Sequence, residues 1–188
     1  MPKQARVPRL MLATWLIELY VAAIQAQEPT SEYYQTLLLE AQEILERHHD
    51  ALDARTTYAL LARQQCTELW LAYACILQDT DKLVQHWIDQ KQWNQALHTL
   101  SAQSALDAYY ASSIALMQHA PEATIQCWQK CDQLDVERLI PALLQYTPAP
   151  NESDVVLMYL QHVIDVQGSK SPAAHALRLS RLCERASN

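Results

Sequence analysis

Glycine is nearly missing: Gly168 is the only one in 188 residues, where ~7% is usual. Tight hairpins of the Asn-Gly type therefore cannot form, which argues against all-β folds. Glycine-rich phosphate cradles are excluded too, because their backbone conformations and close ligand approach require several glycines. That removes nucleotide enzymes of the P-loop and Rossmann kinds. Phenylalanine is absent. There is no Cys-x-x-Cys pair, no His-Glu-x-x-His and no Gly-x-Ser-x-Gly elbow, so the usual short signatures of zinc sites and serine hydrolases are missing. No apolar run reaches the ~20 residues that a transmembrane helix needs. Positive charge is also scarce. Fourteen Lys and Arg face 21 Asp and Glu, a net charge of -7. Such a chain repels phosphates and anionic headgroups, so neither nucleic-acid binding nor direct membrane insertion is expected. The one basic cluster is Lys3, Arg6 and Arg9.

What the chain does have is apolar surface, half of its residues, and strong helix formers: Ala, Leu, Gln and Glu. Five cysteines stand at Cys66, Cys75, Cys127, Cys131 and Cys183. Their odd number and irregular spacing read as small hydrophobes in a reducing compartment rather than as a disulfide or metal framework. Residues 1–26 show basic residues, then an apolar stretch from Leu10 to Ile17, then small residues around Ala22, Ala23 and Ala26. That order is shared with signal peptides. Glu18 interrupts the apolar run, however, and Leu12, Leu16, Leu19, Ala23 and Ala26 recur at helical spacing. The expectation is an amphipathic helix with that stripe in the core.

Helical periodicity continues along the chain and breaks at short polar or proline-bearing turns. A first helix runs from about Arg9 to Gln27. Thr30 or Ser31 caps the next, as far as His48, and Asp50 is expected to cap the one through Tyr58 and Leu61. Thr67 and Glu68 open another. Asp79-Thr80-Asp81 and Gln90-Lys91-Gln92 bracket a helix carrying Leu83, Val84, Trp87 and Ile88, followed by one carrying Trp93, Ala96, Leu97 and Leu100. Two short helices joined by so brief a turn must lie antiparallel, and neither can bury its stripe alone. Further helices follow from Ala105 to Gln118 and from Pro121 to Lys130. Asp135 caps one with Pro141 near its start, Ser153 or Asp154 caps the next, Gly168 ends it, and Ser171-Pro172 opens the last. The stretch 147–152 is the one extended loop. The pattern predicts an all-α fold: an α-solenoid of antiparallel helix pairs, about eleven helices. It forms a single segment over 1–188 with a weak sub-boundary near 147–152.

Chemistry is hard to find. The densest cluster, His48, His49, Asp50 and Asp53, puts its adjacent histidines on different faces of a helix and makes a poor chelate. His119 stands before Pro121 without a nucleophile to serve. No catalytic residue, metal site or cofactor is expected. Five tryptophans, Trp15, Trp70, Trp87, Trp93 and Trp128, sit among leucines and read chiefly as core. Trp70, Trp87, Trp93 and Trp128 are the candidates for an interface anchor facing a protein partner.

Several segments carry a resemblance. They are residues 50–61, the helix pair around His86-Trp87 and Trp93-Asn94-Gln95-Ala96-Leu97, residues 116–124, and Leu134 to Tyr146 with Leu139-Ile140-Pro141 at its centre. Tyr159-Leu160 and Ser171-Pro172-Ala173-Ala174-His175 follow in order, and Thr14-Trp15-Leu16-Ile17-Glu18-Leu19-Tyr20 precedes them. Together these resemble the α-solenoid of the vacuolar protein sorting subunit eighteen (Pep-three/deep orange) family. The resemblance implies a clathrin-heavy-chain-like solenoid between a β-propeller and a RING, neither of which is expected within these residues. It implies membership of the class C core of the HOPS and CORVET tethers, with the other core subunits as partners. The expected location is cytoplasmic, peripheral on late endosomes, lysosomes or vacuoles, in support of vesicle docking and membrane fusion. A segment cut from such a solenoid is expected to self-associate through its ends. The alternatives are another helical-repeat scaffold (coat, nuclear-pore or tetratricopeptide-type peptide binder) and a secreted helical protein with a cleaved leader.

Overall fold

The computed structural model describes residues 6–103, 105–147 and 154–187, with side chains from Met11 to Ala186 within those ranges. The loop expected at 147–152 lies outside them save for Thr147, as do Ser153 and Lys3. Among the described residues there are eleven α-helices and no strand. The chain divides into two compact units, Met1–Asp79 and Thr80–Asn188.

The first unit holds α1 (Arg6–Gln25), α2 (Glu32–His48), α3 (Ala54–Arg63) and α4 (Thr67–Ile76). Each helix packs on a sequence neighbour or on the helix two places along: α1 on α2 and α3, α2 on α4, α3 on α4. Ser31 caps α2 by accepting the Tyr34 N–H at 3.0 Å, leaving one fewer of the orphan donors that every helix start carries. The cap of α3 is Asp53 rather than the expected Asp50. The Asp53 carboxylate accepts both the Thr56 N–H at 2.9 Å and its hydroxyl at 2.6 Å. Asp50 lies in a turn that folds Leu52 into the core. The core is the buried faces of α2 (Leu37, Leu38, Ala41, Leu45) and α3–α4 (Leu60, Leu61, Leu69, Tyr73, Ala74). Tyr58 lies against Trp70 and Tyr73, ring centroids 5.3 and 5.1 Å away.

One sequence expectation fails in α1. The residues turned inward are Ala13, Ile17, Val21 and Ile24, whereas Leu12, Leu16 and Leu19 face outward. The helix is apolar on two sides, so periodicity alone cannot choose between them. Polar ties set its rotation instead: the Tyr20 hydroxyl donates to Glu40 on α2 at 3.1 Å, and the Gln25 amide donates to the Gln64 carbonyl.

The second unit holds α5 (Thr80–Asp89), α6 (Trp93–Ala102), α7 (Leu106–His119), α8 (Pro121–Gln129), α9 (Val136–Gln145), α10 (Val155–Gln161) and α11 (Pro172–Ser187). A π-helical turn, His162–Val166, extends α10 before Gly168 takes the left-handed conformation at φ 68°. Contacts alternate regularly: α5 with α6 and α7, α6 with α7 and α8, α7 with α8 and α9, α8 with α10, α9 and α10 with α11. This sharing of each helix between its neighbour and its second neighbour is the packing of stacked helical hairpins. Leu100, Leu116, Trp128, Leu139, Leu143 and Tyr159 anchor one continuous core. Asp154 caps α10 through the N–H groups of Val156 and Leu157, at 3.0 and 3.2 Å. The buried Arg181 of α11 donates to the Leu143 and Tyr146 carbonyls at 3.2 and 2.5 Å, satisfying the open C-terminal end of α9.

A regularity that composition hides shows in the helix starts. Five successive helices begin at Ala54, Thr67, Thr80, Trp93 and Leu106, each 13 residues after the last. The first four are each 10 residues long. Three residues therefore connect each to the next, and after α3, α4 and α5 the connection has one geometry. Gln65, Gln78 and Lys91 occupy left-handed backbone at φ 53°, 54° and 57°. Their N–H groups reach three residues back, and the following N–H groups reach five back: Cys66 to Leu61, Asp79 to Ala74, Gln92 to Trp87. That pair of bonds defines a Schellman end. Here its last residue immediately precedes the next helix.

Candidate functional site

The four candidate anchors divide by burial. Trp128 is a correction: at 0% exposure it is core, packed edge-on against Tyr159 at 5.5 Å, and no partner reaches it while the unit is folded. Trp70, Trp87 and Trp93 are half-buried. Trp70 belongs to the Tyr58 cluster, and Trp87 and Trp93 pack against the core of the second unit. Trp93 also stacks on His119, centroids 4.4 Å apart and planes 10° from parallel, which accounts for that histidine without chemistry.

The exposed tryptophan is Trp15, at 60%. It stands on the outward side of α1 with Met11, Leu12, Leu16 and Leu19, all exposed. Beside it a groove of about 330 Å³ is lined by Met11, Thr14, Trp15, Glu18, Asp53 and Thr56. The two hydrogen bonds from Thr56, its hydroxyl first and then its backbone N–H, hold the Asp53 carboxyl below the usual carboxylate range, so this groove has an acidic lip. Sequence reasoning missed this surface because it assigned those leucines to the core. The available signal was α1 itself, which carries more apolar residues than one buried stripe can use. In the second unit Leu144, Met158, Val166, Leu179 and Leu182 are also exposed. Scattered single exposures of this kind are ordinary, whereas a contiguous stripe on one helix is not.

The arrangement offers packing surface rather than reactivity. Among the described residues no three His, Cys, Asp or Glu side chains are placed to hold a metal. His48 and His49 do not converge, and the His49 ring meets only the Glu46 carbonyl, at 2.7 Å. Burial pushes the Cys66 and Cys127 thiols up, away from the thiolate form that a nucleophile requires. Burial, with the Asp79 carboxylate alongside, likewise raises the Tyr58 phenol well above its usual range. No helix among the described residues is long and apolar enough to cross a membrane.

The stacked helical hairpins of the second unit define a helical-repeat segment. The family model for VPS18, alpha-solenoid domain, second half, matches residues 81–188, more than half of the chain. The chain belongs to that family, which is one of scaffold subunits and not of enzymes. It is 25% identical over 183 residues to the vacuolar membrane protein pep3 of Schizosaccharomyces pombe, covering 90% of this chain and 20% of that protein. It is 29% identical over 181 residues to the vacuolar protein sorting-associated protein 18 homolog of Danio rerio, covering 90% and 18%. The vacuolar sorting protein 18 of Arabidopsis thaliana is 26% identical over 182 residues. The chain thus spans about a fifth of the length of the curated relatives it matches.

Proposed function

We propose that this chain serves as a solenoid segment of a vacuolar protein sorting subunit, acting as spacer and docking surface in the class C core of endosomal and lysosomal tethers. Its work there is mechanical. Within each unit the helices pack on a neighbour and a second neighbour, so a load on one hairpin passes to the next through packed side chains. Partners would be the other core subunits of HOPS and CORVET. Its place would be the cytoplasmic face of late endosome, lysosome or vacuole, held there by the assembly during docking and fusion. The observation that carries this reading is the family match over the stacked hairpins of the second unit.

The test is recovery of the assembly. The full-length gene product containing this segment, tagged and isolated from its own cells, should bring down the other core tether subunits. Deleting the segment should release those that dock on it and slow delivery of a vacuolar cargo. Isolation without any tether subunit, or cargo delivery unaffected by the deletion, would defeat the proposal.

A further inference from the structure

We draw no further inference here: the strongest candidate, the groove between α1 and the start of α3 lined by Trp15, Glu18, Asp53 and Thr56, carries nothing because nothing in the structure shows what covers that side of α1.

Discussion

The three Schellman turns give a prediction whose sign runs against helix propensity. Gln65, Gln78 and Lys91 hold φ between 53° and 57°, where a Cβ crowds the following carbonyl at a cost of about 1–2 kcal/mol. Glycine escapes that clash but gives up more backbone entropy on folding, about 0.5–1 kcal/mol. All three side chains are exposed, so removing them sacrifices little packing. The net expectation is a gain of about 0.5–1 kcal/mol for each of Gln65→Gly, Gln78→Gly and Lys91→Gly. Gln65 and Gln78 lie in the first unit and Lys91 in the second. The double variant should therefore raise the first unit's midpoint while Lys91→Gly raises the second's. A gain of about 1 kcal/mol corresponds to roughly 4–8 °C in Tm for domains of this size. Thermal melts followed by circular dichroism, together with urea midpoints at constant m, are the assay. Two controls fix the sign. Ala59→Gly, exposed in the middle of α3, should lose about 1 kcal/mol. Gly168→Ala, whose added Cβ meets nothing within 4 Å but whose φ is 68°, should lose a similar amount, about 1 kcal/mol, from backbone strain alone. If glycine at 65, 78 and 91 destabilises as it does at 59, the left-handed turns are not what ends these helices, and the 13-residue period has another cause.

Three further outcomes follow from individual side chains. Asp154→Ala strips the buried cap from α10 and should cost about 1–2 kcal/mol; an unchanged urea midpoint would show that other groups satisfy those amides. Thiol labelling of the native protein should modify exposed Cys75 and Cys183 first, with buried Cys66 and Cys127 reacting only on unfolding; early labelling of Cys127 would contradict its packing against Leu97 and Tyr109. Asp53 is held below the ordinary carboxylate range in the folded state. Its contribution to stability is therefore full above the unfolded value of about 4 and fades as pH falls through the folded one. Thr56→Ala should move the Asp53 titration, followed by NMR, upward; a titration indifferent to this change would remove the hydroxyl as the principal cause.

Most of the fold was legible because many of the helices announce their starts. Ser31, Thr67, Asp79-Thr80, Pro121, Asp135 and Asp154 are cap or first-turn residues in the sequence, and they lie at helix starts in the structure. For Ser31, Asp135 and Asp154 the chemistry is local: a side-chain oxygen accepts an N–H two or three residues away, and nothing distant has to cooperate. Asp50 and Asp53 show where local reading stops. Both are plausible caps, and the choice between them is made by the burial of Leu52, a tertiary event. The exact period from α3 to α7 was hidden for a related reason. Its left-handed position is filled by two glutamines and a lysine. The glycine that would have marked each turn is missing, so the scarcity that excluded nucleotide folds also concealed the repeat.

The candidate surface was harder to read because burial is a relation between helices, and a sequence lists only their residues. In α1 two stripes one residue apart, Leu12-Leu16-Leu19 and Ala13-Ile17-Val21-Ile24, fit a helical period equally well. The first has the larger side chains at its start and looks like the better core. The second is the one buried, because Tyr20 and Gln25 are turned to meet α2 and the end of α3. Two hydrogen bonds of about 1 kcal/mol each can decide between faces that differ little in apolar area. What they leave outside is a leucine seam, with Glu18 the one charged residue between Met11 and Gln27. A helix keeps such a seam at a cost in solubility.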